Sequence, residues 1–303
     1  MRQLKNEKYK NGVIMHDDIF ICAIGYETRS TYLFEKIKQD IKNENMLIFF
    51  INSNNKVYKI NELEKSGAVC IETDYVSGQF VQKKISDFLN EKKEKNFEFR
   101  VHVDYSSMPR NWYYNLPKLF EDLEVKMYFW YVVGNYPVDY TAYPTAGTDT
   151  YKVIGKPLLR IEKGRVHVFG LGYDFIRTKA IISEIDPDSY IVCNAFNHRN
   201  CERRENVDRL NQQIISKAIC EQDFYYDDFS FMFSKLCEIA IEYSGDKSVI
   251  FVPDGPKPLI FAMSLVPLYL DKEGISCIHI YRNVQIKEYV DVTPTDEILG
   301  FSL

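Results

Sequence analysis

Nowhere does the chain carry the roughly 18 to 20 consecutive apolar residues that a membrane-crossing helix requires, so no membrane partner is expected. Its first residues, MRQLKNEKYKNGVIMHDD, lack the apolar core of a secretory signal, and the expected location is the cytoplasm. Metal motifs are missing too. Cys22, Cys70, Cys193, Cys201, Cys220, Cys237 and Cys277 form no CxxC pair, and most lie in apolar runs, which predicts buried free thiols. The five histidines are dispersed and no HExxH occurs, so neither a metal site nor a cofactor is expected. The absence of GxxxxGK[ST] argues against a P-loop NTPase, and the absence of GxGxxG removes the dinucleotide fingerprint. No serine stands in a nucleophile elbow. A net charge of −5 argues against a broad duplex-DNA surface but leaves room for a local basic pocket.

The chain does have length and apolar content. Its 303 residues, 46% hydrophobic and 27% charged, suffice for one large or two medium domains with their own cores. It is also rich in tyrosine and phenylalanine, 22 and 20, against two tryptophans. Tyrosine serves base stacking, but more often it fills cores and interfaces.

The chain repeats itself. DIFICAIGYETRSTYLFEKI, from Asp18, matches RVHVFGLGYDFIRTKAIISEI, from Arg165: an apolar run, Gly-Tyr-acid, then helix periodicity. Gly25 pairs with Gly172, Tyr26 with Tyr173, Glu27 with Asp174, and Arg29-Ser30 with Arg177-Thr178. FRVHVDYSSMPRNWYYNLPKLF matches SVIFVPDGPKPLIFAMSLVPLYL, with Arg110 opposite Lys257. The 85-residue spacing from Gly25 to Arg110 recurs from Gly172 to Lys257. KMYFWYVV and SCIHIYR follow, and then the tails VDYTAYPTAG and VDVTPTDEILG. Apolar strands alternating with amphipathic helices predict two tandem Rossmann-like α/β units with parallel sheets, related by internal duplication. The units are expected at 1–160 and 161–303, with 134–164 as the joint. Strands are expected near 18–24, 46–51, 68–72, 99–104 and 127–133, and again near 166–170, 189–195, 248–252 and 276–281. Helices are expected over 29–42, 79–93 and 111–122, then over 175–184, 203–218, 228–243 and 257–271.

Ligands of open α/β sheets bind outside the carboxyl ends of the strands, where both matched loops are expected. In the first loop, Gly25 to Ser30, Arg29 suits an anion. Glu27 suits a ribose hydroxyl or a base amine, or else Glu27, Thr28 and Asp174 only cap helices. The second loops run Asp104 to Arg110 and Pro253 to Pro258. Hydroxyls at Ser106 and Ser107 and a cation opening a helix suit a polyanion, or form an ordinary strand-to-helix turn. His102 and His167 read as core residues. HRNCERRENVDR, from His198, reads as a solvated face or a lid, and Asn52 to Asn55 as a plain turn or a ribose contact.

A small Ser or Gly cluster followed by a base opening a helix, as in DGPKPLIFAMSL and DYSSMPRNWYYNL, resembles the ligand loop of CRISPR-associated Rossmann-fold (CARF) sensor domains. Met108-Pro109-Arg110 and Gly255-Pro256-Lys257 stand where that family has threonine and lysine. Two such units in one chain also resemble the SAVED domains of antiphage signalling. The resemblance implies recognition of a nucleotide or short oligonucleotide in prokaryotic defence, with a partner effector or self-assembly. The expected ligand-binding set is Tyr26, Arg29, Ser106, Ser107, Arg110, Tyr173, Arg177, Asp254 and Lys257, lining a pseudo-twofold cleft. Two rival readings stand beside it. One is a metal-independent enzyme cleaving a nucleotide, with Glu27 or Asp174 as acid/base and Arg29 steadying phosphate charge. The other is an interaction subunit presenting NWYYNL and FYYDDFSFMF.

Overall fold

The computed structural model describes residues 4–51, 60–74, 77–95, 99–121, 125–136, 150–156, 164–199, 201–281 and 290–303. Asn52 to Asn55 therefore lie outside the described residues, as does most of the expected joint. The chain forms two compact units. The first spans Arg2–Val138 with Glu288–Leu303, and the second Asp139–Lys287.

Thirteen strands appear among the described residues: β1 (Lys5–Lys8), β2 (Ile19–Ile24), β3 (Met46–Ile51), β4 (Val69–Thr73), β5 (Arg100–Asp104), β6 (Lys126–Asn135), β7 (Thr150–Gly155), β8 (Gly164–Gly170), β9 (Ser189–Phe196), β10 (Cys220–Tyr225), β11 (Lys247–Val252), β12 (Ile275–Tyr281) and β13 (Thr293–Ser302). The first sheet runs β1-β13-β6-β5-β2-β3-β4, and the second β10-β9-β8-β11-β12-β7. In both, five parallel strands share one order, centred on β2 and β8. Register agrees as well: Val101 faces Met127 across β5 and β6, and Val249 faces Ile275 across β11 and β12. The strands are apolar because both sheet faces are covered; every residue of β2 is buried.

The helices are α1 (Tyr32–Ile37), α2 (Ile60–Lys65), α3 (Gly78–Lys95), α4 (Arg110–Tyr113), α5 (Leu116–Glu121), α6 (Phe175–Ile185), α7 (Cys201–Ile215), α8 (Phe229–Tyr243) and α9 (Lys257–Leu270). Where a helix is expected over 29–42, a 3-10 turn (Thr28–Thr31) leads into the short α1. The helix expected over 111–122 is broken into α4 and α5. No helix among the described residues is long and apolar enough to cross a membrane.

Each sheet also carries one antiparallel strand beside its last parallel one, and these two strands are exchanged. β7 follows β6 in the chain yet pairs with β12, whereas β13 follows β12 yet pairs with β6. A boundary at 160/161 would leave each strand with the wrong sheet. β7 is the edge strand of its sheet and falls within the expected joint, whereas β13 lies between β1 and β6 and is interrupted by a register shift between Pro294 and Ile298. The aromatic stretch NWYYNL is core: Trp112, Tyr113, Tyr114 and Leu116 are all buried, which removes it as an interface. FYYDDFSFMF is divided, with Tyr225 and Phe231 exposed and Phe224, Tyr226, Phe229, Met232 and Phe233 buried.

Candidate functional site

The chain leaves the first sheet from β2 toward β3 and β4, then from β5 toward β6 on the other side. The strand order thus reverses between β2 and β5, and likewise between β8 and β11, which is where open α/β sheets form a ligand crevice. The four loops singled out in the sequence follow β2, β5, β8 and β11. Each unit therefore brings its own pair to one switch point.

In the first unit the pair is joined at Glu27. Its Oε2 accepts from Arg29 Nε at 2.6 Å and from Ser107 Oγ at 3.4 Å. Arg29 is 1% exposed. Its Nη1 donates to Tyr131 Oη (3.1 Å) and to the Val132 carbonyl (3.4 Å), with the Tyr131 ring 5.4 Å away. A charge removed from water this completely needs a counterion and acceptors, and here the protein supplies them. Arg29 is therefore committed to the interior rather than to a ligand. Ser106 is committed in the same way. Its hydroxyl donates to Asp104 Oδ1 and accepts from the Val132 amide at 2.7 Å. Tyr26, Ser107 and Arg110 are half-buried. Asp291, beyond the reach of sequence reasoning, holds Thr28: its carboxylate accepts from the Thr28 amide (2.7 Å) and hydroxyl (2.6 Å).

The second unit repeats the buried cation with a different acid. Arg177 Nη2 donates to the Ile280 carbonyl (2.8 Å), a separation of 103 residues that equals that of Arg29 and Val132. Its Nη1 meets Asp254 Oδ2 at 3.0 Å, and Asp254 Oδ1 accepts from the Gly255 amide at 2.9 Å. Arg177 and Asp254, expected at the ligand, thus hold the two loops to each other. Asp174 caps α6, its Oδ1 accepting from the Arg177 amide at 3.1 Å. Backbone packs on backbone here. A side chain at Gly170 would strike Asp254, and one at Gly255, whose φ is +87°, would strike the Leu171 carbonyl. Asn211 of α7, fully buried, donates to the Gly172 carbonyl at 2.9 Å. Arg203, also on α7, lies over the Tyr173 ring at 5.2 Å. The α7 segment that reads as a lid or a solvated face is thereby fastened to the first loop. Tyr173 and Lys257 are half-buried, and Lys257 opens α9 after Pro256, which brings no side-chain cap.

A perturbed carboxylate lies away from the loops, at the amino edge of the first sheet. Burial works against the Asp18 carboxylate, but hydrogen bonds from His102, Arg100 and the Met15 amide outweigh it and lower its pKa to about 2. Trp130 Nε1 donates to His102 Nδ1, so His102 Nε2 carries the proton offered to Asp18 at 3.1 Å. A cavity of about 610 Å³ at the same edge is lined by Asn11, Gly12, Ile14, Met15, His16, Lys36 and Asp40, away from all four loops. No group of three metal-ligating side chains occurs among the described residues. Neither a protein-family model nor a curated protein matches the chain.

Proposed function

We propose that the chain recognises an anionic nucleotide or short oligonucleotide at its carboxyl-edge loops, and that it arose by duplication of one Rossmann-like unit. The observation that carries the reading is the position of the loops, both pairs of which flank the switch point of their own sheet. The shared strand order, shared register and paired buried arginines support the duplication.

The ligand-facing set is narrower than the sequence suggests. Arg110 and Lys257 meet phosphate, Tyr26 and Tyr173 stack bases, and Ser107 donates a hydroxyl. Arg29, Ser106, Arg177 and Asp254 shape the loops from within. In keeping with the CARF and SAVED resemblance, the chain acts in the cytoplasm in prokaryotic antiphage or CRISPR-type defence. It passes the signal to an effector protein or a second copy of itself. Mass spectrometry of nucleotides retained by the purified protein, together with binding of a pool of mono-, di- and oligoribonucleotides, tests this. A stoichiometric nucleotide is expected. A protein that retains none and binds none from the pool overturns the reading.

A further inference from the structure

β9 and β10 are parallel neighbours whose last residues, Phe196 and Tyr225, are in register. Two residues past each, His198 and Asp227 stand side by side, with His198 Nδ1 at 2.7 Å from Asp227 Oδ2. The His198 side chain is 50% exposed and that of Asp227 21%. His198 Nε2 has no hydrogen-bond partner among the described residues. The other histidines differ. His102 is engaged at both nitrogens, and His167 is buried. His279 is buried against Ser264, whose own proton goes to the Ile260 carbonyl. His16 lies at the amino edge, 3.7 Å from Asp17.

A surface His–Asp hydrogen bond contributes little to folding. This one also leaves Asp227 Oδ1 buried without a hydrogen bond, an arrangement that stability alone does not favour. The pair shares the carboxyl edge with the loop after β8. At about 4.8 Å per strand, it lies one to two strand widths from that loop. Helix α7 begins just past His198 and is tied to that loop through Asn211 and Arg203.

We propose that His198 and Asp227 form a general-base dyad that cleaves a ribonucleotide phosphodiester held at the second unit's loops. This inference rests on the nucleotide-recognition reading above. His198 Nε2 takes the proton of a ribose 2′-hydroxyl. The 2′ oxygen bonds to the adjacent phosphorus as the P–O5′ bond breaks, and the departing 5′ oxygen takes the proton back from the imidazolium. The products are a 2′,3′-cyclic phosphate and a 5′-hydroxyl. Asp227 is the positioning residue. By accepting from Nδ1 it fixes the tautomer that leaves Nε2 basic, and it balances the imidazolium charge. Arg203 supplies positive charge beside the phosphate.

The test uses a fluorescein-labelled RNA hexamer and its DNA counterpart, with the full chain in EDTA. Binding is read by anisotropy and products by mass spectrometry. The wild type is expected to bind both and to cleave only RNA, leaving a cyclic phosphate. His198→Ala and the more conservative His198→Gln each slow cleavage by about 10²- to 10⁴-fold with binding unchanged within about twofold. Asp227→Asn lowers kcat while KM holds. Binding without cleavage, or cleavage that survives both His198 substitutions, overturns the dyad and leaves recognition standing. Absence of binding overturns both.

Discussion

Asp18 and His167 are buried titratable groups whose protonation bears on folding in separate pH windows. The folded Asp18 carboxyl sits near 2, below the usual carboxylate range, despite burial, because His102, Arg100 and the Met15 amide all donate to it. Its contribution is therefore present above pH 4 and is lost as pH falls from about 4 toward 2. It amounts to about 2 kcal/mol. Asp18→Asn is expected to lower urea-unfolding stability by about that much at pH 7, and the gap to the wild type should close on acidification through that window. A gap independent of pH would contradict the assignment. His167 is lowered to about 4, by burial first and then by Arg165. Because the unfolded imidazole takes a proton first, its contribution is present above pH 6.5 and lost as pH falls from about 6.5 to 4. Among the arginines, Arg29→Ala strands Glu27 and is expected to cost about 3 to 5 kcal/mol by thermal or urea unfolding. Arg110→Ala, at a half-buried site, is expected to cost under about 1 kcal/mol. In the sequence Arg29 and Arg110 read alike, each opposite a cation, Arg177 and Lys257. Only the fold shows that Arg29 is buried on Glu27, Tyr131 and Val132, the latter two about a hundred residues away on β6, whereas Arg110 is half-buried at the start of α4.

At the scale of elements, the central parallel strands are legible from their β-branched and aromatic runs, and the helices over 175–185, 229–243 and 257–270 from their apolar periodicity. Others are not. β7 and β10, the two edges of the second sheet, and β13, paired between β1 and β6, carry no long apolar run in the sequence. Asp291 on Thr28 joins positions 263 residues apart, a contact no local pattern encodes. β13 nonetheless matters to the first unit. Phe301 is 1% exposed and stacks on Phe129, and a side chain at Gly300 would strike the Trp130 ring. Both tryptophans, Trp112 and Trp130, are fully buried in this unit, so their emission reports on it alone. Removing residues 290–303 is expected to shift that emission to that of solvent-exposed indole, and Phe301→Ala to cost about 3 to 5 kcal/mol by urea unfolding followed at tryptophan. Native emission in the truncated chain would show β13 to be dispensable.

Over the whole molecule, the second sheet is drawn from one continuous stretch, β7 to β12, whereas the first is completed by β13 from beyond it. Each unit nevertheless keeps the same strand order and places its paired loops at the same switch point. Recognition of a nucleotide at those loops is the central claim. Its most direct test is a calorimetric titration of an oligoribonucleotide into the wild type, Arg110→Ala and Lys257→Ala, with melting temperatures measured in parallel. A charge-assisted contact to phosphate is worth about 1.5 to 3 kcal/mol, so each substitution is expected to weaken binding about ten- to a hundredfold. The melting temperature should barely move. Wild-type affinity in both variants would contradict the account and leave the loops as scaffold.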